Sequence, residues 1–247
     1  MKPMFRRLRE RAEEQELMDD FTMGGKELRI ALRQLRLLNR IFGAAAPTLY
    51  GVQRMWKLAG KPVRFSILDI GAGSGDVNRH LLRWASVNEI ELQITLADIT
   101  DEACEEARQL YHDEPRIKVI QCDMFELPQE SADIVTGTQF LHHFAEDELP
   151  AVVACMQRAS RIGVVINDIH RHWIAWAAVW MTTRLISNNR YLINDGPLSV
   201  AKGFRAEDWV KLRNALGEPE MFFSWRPLFR YVVIIRNNCN HDIQREV

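Results

Sequence analysis

The chain has 247 residues, 47% of them hydrophobic, and a formal net charge of −1. These values are typical of one globular α/β domain with a large core. The balanced charge argues against general nucleic-acid binding, and we read neither a secretory signal nor an apolar run long enough to cross a bilayer. The cysteines share no metal-ligand spacing, which favours reduced thiols in a cytoplasmic protein. They are Cys104, Cys122, Cys155 and Cys239.

Residues 1–60 differ from the rest in charge. They hold 12 basic and 7 acidic residues, a net of +5, so the remainder carries −6. Lys26 to Phe42 is predicted to be a helix because leucines recur along one face. A second face carries arginines, interpreted as a solvated surface or, alternatively, as a lid over an acidic or lipid-like acceptor or a peripheral membrane contact. We predict that residues 1–60 form a helical cap on a domain spanning 61–247. The arginines are Arg29, Arg33, Arg36 and Arg40.

The most informative stretch follows, where an apolar run from Val63 to Ile70 stops at three glycines spaced by two residues. A run of this length bounded by glycine is typical of a buried parallel strand, and residues 76–84 have the apolar periodicity of a helix. Because glycine adopts positive φ and lets a ligand approach the backbone, this strand-to-helix turn predicts a cofactor site at the carboxyl end of the strand. The glycines are Gly71, Gly73 and Gly75.

The spacing of this turn separates the classes of cofactor. A dinucleotide-binding turn needs a third glycine at position 76, which is Asp76, and a phosphate-binding loop needs a Lys that is absent here. An acid at the start of a helix also repels a pyrophosphate. A cofactor with a cationic or neutral reacting end is therefore favoured.

Asp98 ends the second predicted strand, which lies beside the glycine turn in a doubly wound sheet. Its carboxylate is placed to accept hydrogen bonds from both ribose hydroxyls of a cofactor, and capping the next helix is the alternative. Downstream of the turn, strands are predicted over residues 91–98, 116–121, 132–136 and 162–167, helices over 101–112, 146–161 and 205–216, and a closing antiparallel hairpin over 221–225 and 230–236.

Two motifs carry a resemblance to a known family over residues 63–170. Asp69-x-Gly71-x-Gly73-x-Gly75 resembles motif I, and the run from Asp133 to Phe144 resembles motif IV, of class I S-adenosylmethionine-dependent methyltransferases of the small-molecule type. The resemblance implies a Rossmann-like, seven-stranded α/β sheet, mostly parallel with one antiparallel strand near the C-terminus. It implies S-adenosylmethionine as cofactor, S-adenosylhomocysteine as product, and cofactor contacts from Asp69, Gly71, Ala72, Gly73, Gly75, Asp98, Ile99, Asp123, Met124 and Gln139.

The residues at motif IV indicate the type of acceptor, because they differ from the signature motifs of other methylases. Gly137 to Phe140 stands where amino methylases of DNA, RNA or glutamine carry Asn-Pro-Pro-Tyr, and no acid lies there to hold a divalent cation, so we expect no metal. The Trp-rich segment 173–181 is interpreted as a core helix or as the wall of an apolar acceptor pocket. Residues 194–199 are predicted to form a loop that closes the pocket, within an insertion spanning about 170–204. Residues 167–204 also resemble bacterial methyltransferases of phenolic polyketide and phenolic-lipid pathways.

The expected reaction is O-methylation of a small, largely apolar aromatic acceptor such as a phenol, resorcinol or quinol in secondary metabolism. A phenol must lose its proton, and histidine is the usual general base. His170 is the first candidate, since it follows the fifth strand, and His143 is the second. The predicted pocket residues are His142, Phe144, Trp173 and Trp176.

Alternative functions remain open from the residues alone. One is C-methylation of a quinone-type precursor, another is a non-catalytic regulator that binds S-adenosylmethionine, and a third, suggested by the basic amino-terminal helix, is a nucleic-acid methylase. We expect a small-molecule partner, no nucleic acid, no stable membrane insertion, and a monomer or homodimer.

Overall fold

The structure is a computed structural model that describes residues 8–20, 24–217 and 220–237. One sheet has the strand order β3-β2-β1-β4-β5-β7-β6. Strands β1 to β5 run parallel, and β7 runs antiparallel to both of its neighbours. The predicted mostly parallel sheet with one antiparallel strand near the C-terminus is therefore confirmed. The strands are β1 (Arg64–Ile70), β2 (Glu91–Asp98), β3 (Ile117–Gln121), β4 (Ala132–Thr138), β5 (Ser160–Ile169), β6 (Met221–Arg226) and β7 (Arg230–Arg236).

Helices cover both faces of this sheet, as the doubly wound architecture requires. Within the described residues, no helix is both long and apolar enough to cross a bilayer. The helices are α1 (Lys26–Ile41), α2 (Ala45–Leu58), α3 (Asn78–Val87), α4 (Asp101–Leu110), α5 (Leu149–Ala159), α6 (Trp173–Ile186), α7 (Arg190–Lys202) and α8 (Ala206–Leu216).

The central strands are apolar throughout because both of their faces are buried. Side chains alternate across a strand, so neighbouring residues enter different cores. Leu68 and Val135 belong to the core under α5 and α8, whereas Ile67, Ile134 and Val165 belong to the core under α2 and α3. The sheet thus separates two apolar layers and fixes the carboxyl ends of β1 to β5 at one edge.

Helix α2 has no counterpart among the individually predicted helices, since only Lys26 to Phe42 is predicted as a helix within the cap of residues 1–60. The structure places Pro47 in the first turn of α2, where a missing backbone N–H costs little. Met55 is fully buried against the sheet. A Cβ on Gly51 would collide with the side chain of Val165, so glycine permits this close approach. The cap therefore contributes directly to the core.

The arginine stripe of α1 faces helix α4 and remains partly exposed. Arg33 and Arg36 each lie 2.8 Å from a carboxylate oxygen of Glu106 on α4, and Glu106 is 1% exposed. Arg29 pairs with Glu105 of the same helix at 2.8 Å. Three of the four arginines thus join the cap to α4, while the side chains of Arg33 and Arg29 remain 56% and 41% exposed. This exposure is compatible with the interpretation as a solvated face, and the lid and membrane interpretations stay predictions.

Residues 194–199 are not a loop but the middle of α7. Gly196 allows α7 to approach α6, since a Cβ there would lie 2.9 Å from Thr183. Pro197 lies inside the helix. The carboxylate of Asp195 accepts hydrogen bonds from the backbone N–H groups of Leu17 and Met18. Tertiary packing therefore overrides the turn signal of Asp-Gly-Pro.

We propose that the cap and the sheet unfold as one unit. Met55→Ala is expected to lower the free energy of unfolding by about 2–5 kcal/mol, because it leaves a cavity between α2 and the sheet. Urea unfolding followed by fluorescence measures the change. Leu58→Ala is the matched control, since Leu58 is 51% exposed on the same helix. Two separate unfolding transitions, with the loss of stability confined to one of them, would contradict unfolding as a single cooperative unit.

Candidate cofactor and acceptor site

A cavity of about 1390 Å³ lies at the carboxyl ends of β1 to β4. The glycine turn forms its floor, while helix α1 and the segment 10–19 cover it. We call residues 8–20 the strap. Pockets for one drug-sized ligand usually span about 300–1,000 Å³. This cavity therefore has room for two ligands, a cofactor and an acceptor.

The glycine turn opens onto the cavity as its sequence predicted. Gly71, Gly73 and Gly75 all have positive φ, from 56° to 70°. A Cβ on Gly71 would collide with the ring of Phe140, whereas one on Gly73 would meet no atom within 4 Å. Gly73 thus presents bare backbone to the cavity. Gly75 instead faces inward, where its carbonyl accepts a 2.6 Å hydrogen bond from Tyr111, so it supports the turn from behind.

The predicted ribose carboxylate, Asp98, lies at the cavity wall and also holds the turn. Its Oδ2 accepts a 2.8 Å hydrogen bond from the backbone N–H of Gly73, and its Oδ1 accepts from both the N–H and the hydroxyl of Thr100. These three bonds use three of the about four acceptor sites of a carboxylate, so Oδ2 keeps one site for a ribose hydroxyl. The neighbouring wall contains Ile99, Asp123 and Met124.

Asp69 ends β1 beneath the glycine turn and is 3% exposed. Its oxygens accept hydrogen bonds from Thr136 at 2.7 Å and from Asn78 at 2.6 Å. Burial raises the pKa of Asp69 to about 6, because the low dielectric disfavours the charged form. The carboxylate is thus mainly ionised at neutral pH. Its negative charge suits a cationic cofactor and opposes a pyrophosphate.

Helix α1 closes the cavity through Asn39, a residue that the sequence did not single out. Its amide Nδ2 donates to Asp76 at 3.2 Å, and its Oδ1 accepts from Gln139 at 2.8 Å. Gln139 has a φ of 54°, an unusual conformation for a residue other than glycine. Asn39 thereby links the cap to the start of α3 and to the end of β4. No local pattern marks such a contact.

The paired histidines have separate surroundings. His142 is 2% exposed, and its Nδ1 lies 2.7 Å from Asp168, whose Oδ2 also accepts from the His142 backbone N–H. His142 is not one of the described residues that line the cavity, so the prediction that it belongs to the pocket is wrong. Burial alone would raise the pKa of Asp168, but the charge and hydrogen bond of His142 outweigh it and lower that pKa. His142 is thus a buried partner of Asp168.

His143 lines the cavity and is held by the strap. Its Nδ1 lies 2.8 Å from Oδ1 of Asp19. Burial alone would lower the pKa of His143, but the hydrogen bond to Asp19 and the charges of Glu16 and Asp19 raise it above its ordinary value. His143 and Asp19 form an imidazole–carboxylate pair at the wall of the cavity.

The strap is fixed by contacts to α7 and to the turn after β4. Arg11 donates to the carbonyls of Lys202 and Phe144, each at 3.0 Å, and its guanidinium lies 4.5 Å from the centre of the Phe204 ring. Asp195 accepts from two strap N–H groups at 2.9 and 3.0 Å. These contacts place Asp19 next to His143. Sequence reasoning missed them because the partners are more than 100 positions apart.

One group of described residues has metal-ligand geometry. Glu16, His142 and His143 each offer a ligand atom, and these atoms lie within 4.8 Å of one another. The ammonium of Lys202, however, lies 3.7 Å from Oε1 of Glu16. The side chain of Lys202 thus supplies a positive charge at this carboxylate.

The first candidate base, His170, is not at the cavity. Its Nδ1 accepts a 3.2 Å hydrogen bond from Trp225, and its ring lies 6.1 Å from that of Phe229. Burial lowers the pKa of His170 to about 4, because it disfavours the charged imidazolium. No described residue of α6 lines the cavity either, so Trp173 and Trp176 do not form its wall. The chain turns away after β5, and sequence adjacency to the strand end could not reveal that direction.

Comparisons with known proteins agree with this geometry. Residues 67–163 match a sequence family described as a methyltransferase domain. Human N-acetylserotonin methyltransferase in complex with S-adenosylmethionine is similar in structure, with 17% identity and a TM-score of 0.59 over 91% of this chain and 63% of the human chain. A methyltransferase from Aquifex aeolicus has 11% identity and a TM-score of 0.57 over 84% of this chain and 97% of its own.

The CMeT domain of the citrinin polyketide synthase has 17% identity and a TM-score of 0.52 over 70% of this chain. The present chain spans 46% of that structure, about half of its length. No curated protein sequence matches the chain.

The match over residues 67–163 and the seven-stranded sheet show that the chain contains a methyltransferase domain with the class I, S-adenosylmethionine-dependent fold. Its cofactor is accordingly S-adenosylmethionine, as motif I predicted. The residues present fit this cofactor, because bare glycine backbone, an ionised buried carboxylate and two further acids surround the floor of the cavity.

Asp98→Asn is expected to weaken binding of S-adenosylhomocysteine roughly 10- to 100-fold, since a charge-assisted hydrogen bond contributes about 1.5–3 kcal/mol. Isothermal titration calorimetry measures the affinity, and thermal unfolding checks that the variant is folded. Asp101→Asn is the matched control, an exposed acid of the same loop and helix start. Unchanged affinity in the Asp98 variant would refute the ribose contact.

Proposed function

We propose that the chain transfers the methyl group of S-adenosylmethionine to a hydroxyl oxygen of a small, largely apolar aromatic acceptor such as a phenol, resorcinol or quinol. The observation that carries this proposal is the His143–Asp19 pair, which lies at the wall of the cavity that contains the glycine turn. A methyl acceptor that must lose a proton needs a base in this position.

The strand order supports one orientation of the cofactor. Asp98 ends β2 and Asp123 follows β3, so the ribose and adenine are proposed to lie along that side of the sheet. The methionine end then extends across Gly73 toward the end of β4. Asp69, beneath the turn, offers negative charge to the cationic end of the cofactor.

The remaining half of the cavity suits an apolar acceptor. Leu28, Leu32 and Leu35 of α1 line it, together with Met18 of the strap and Phe144. These side chains favour an aromatic body by removing apolar surface from water. A dry pocket also assists methyl transfer, because positive charge disperses as the sulfonium becomes a thioether.

His143 is proposed as the general base. The carboxylate of Asp19 can only accept, so the neutral imidazole carries its proton on Nδ1 and presents the lone pair of Nε2. Nε2 takes the phenol proton, the phenol oxygen forms a bond to the methyl carbon, and the C–S bond breaks with its electron pair moving to sulfur. The products are the methyl ether, S-adenosylhomocysteine and a proton that His143 later releases to solvent.

The pH dependence follows from the raised pKa of His143. The base must be neutral, so activity is expected to fall as the pH drops through a pKa above 6.5. Asp19→Asn removes the carboxylate that raises this pKa, and the acid limb of kcat/KM should therefore move to lower pH. The rate at the plateau should also fall, about tenfold, because the imidazole loses its orientation. Initial rates across pH with a panel of phenols measure both changes.

Glu14→Gln is the matched control for the strap, because Glu14 is exposed and lies outside the cavity. His143→Ala should lower kcat by about 10²-fold or more while the affinity for S-adenosylhomocysteine stays within about twofold. A loss of less than threefold in kcat would rule out His143 as the base. Mass spectrometry and NMR of the product distinguish an ether from a C-methyl group, and a C-methyl product would overturn O-methylation.

A further inference from the structure

Lys202, the last residue of α7, is a buried cation at the wall of the cavity. The residue is 4% exposed and lines the cavity next to the strap. Its Nζ lies 3.6 Å from Oδ2 of Asp19 and 3.7 Å from Oε1 of Glu16. Both distances exceed those of N–H···O hydrogen bonds, which cluster at about 2.7–3.2 Å. The ammonium is therefore near two anions without a short bond to either.

One carboxylate places this ammonium beside the candidate base. Nδ1 of His143 lies 2.8 Å from Oδ1 and 3.0 Å from Oδ2 of Asp19, and Oδ2 also lies 3.6 Å from the ammonium of Lys202. The imidazole and the ammonium thus share a carboxylate at the same wall of the cavity. We call His143, Asp19 and Lys202 the oxygen corner.

We infer that Lys202 binds the acceptor oxygen as an anion after His143 has taken its proton. This inference rests on the proposed function and narrows the acceptor to hydroxyl groups that ionise readily, which are phenols rather than aliphatic alcohols. In this inference Lys202 is a catalytic residue, since its ammonium contacts the oxygen that attacks the methyl carbon.

The physical reason is the cost of a phenolate in an apolar cavity. An unpaired anion there would lose its hydration, which costs several kcal/mol, and a fixed ammonium within reach compensates for it. The proton leaves for His143, the negative charge on oxygen faces Lys202, and the charge vanishes when the methyl group arrives. The charged and titratable groups around the corner are Arg11, Glu16 and Asp19 of the strap, His142 and His143 after β4, Asp168 of β5 and Lys202 of α7.

The charge of Lys202 has a second effect on the base. It opposes the carboxylates that raise the pKa of His143, and thereby keeps more of the imidazole neutral. Loss of this charge should move the acid limb of the pH profile to higher pH. Asp19→Asn should move the limb the other way, so the two variants give opposite shifts. Opposite shifts would show that the charge of Lys202 acts on His143, and the tests below address its contact with the acceptor oxygen.

The first test measures binding without turnover. The probe is 4-nitrophenol, whose phenolate absorbs visible light, titrated with pH in the presence of the protein and saturating S-adenosylhomocysteine. In the wild-type protein the bound probe is expected to have a pKa at least about one unit below its value in buffer. In Lys202→Met, a side chain of similar size without charge, that lowering should vanish. A bound probe with the same pKa in both proteins, or no binding of its phenolate form, overturns the inference.

The second test uses turnover with phenols of graded acidity. The wild-type rate should depend weakly on the acidity of the phenol, whereas Lys202→Met should lose about 10²-fold on ordinary phenols and much less on the most acidic ones. Lys202→Arg should restore part of the rate, since it keeps the charge. Equal losses on all phenols would overturn the inference.

Two further variants separate this inference from other causes. Glu16→Gln combined with Lys202→Met removes both buried charges together and keeps the test available if the single variant does not fold. Lys57→Met is the control, since Lys57 is exposed on α2. Absence of methyl transfer to every phenol by the wild-type protein would defeat the proposed function, whereas normal transfer by Lys202→Met would defeat only the anion site.

Discussion

The structure depends on a buried carboxylate at the end of the first strand. Asp69 accepts hydrogen bonds from Thr136 on β4 and from Asn78 at the start of α3. Those two bonds fix the glycine turn between its strand, the neighbouring strand and the next helix. Burying a carboxylate is costly unless its oxygens are hydrogen-bonded, so the three elements are held in one arrangement. The floor of the cofactor site follows from this constraint.

The second half of the site comes from distant parts of the chain. The strap supplies Asp19, α1 supplies Asn39 and the apolar lining, and the end of α7 supplies Lys202. Ion pairs between α1 and α4 and the packing of α2 on the sheet hold the cap in place. The cofactor side is thus built from the ends of parallel strands, and the acceptor side from segments packed over them.

This division explains why the two halves suit different chemistry. The cofactor side offers bare glycine backbone and acids, which suit a cationic adenosyl compound. The acceptor side combines apolar side chains with one compact polar corner. In such a cavity a few charged groups have large effects, because the low dielectric strengthens each interaction. Arg11, which donates to the carbonyl of Lys202, connects the strap to that corner.

The sequence by itself determined the sheet, its parallel strands and the cofactor turn. Apolar runs ending in glycine or aspartate are local signals, and parallel strands place their carboxyl ends at one edge. Spacing alone therefore predicted that Gly73 and Asp98 lie together, and both line the cavity. Only the tertiary structure decided three features: the contact between His143 and Asp19, the helical conformation of residues 194–199, and the position of His170 away from the cavity. Asp19 and His143 are 124 positions apart, and no periodicity encodes a contact over that distance. The direction in which the chain leaves β5 depends on packing against the hairpin of β6 and β7, which local residues do not specify.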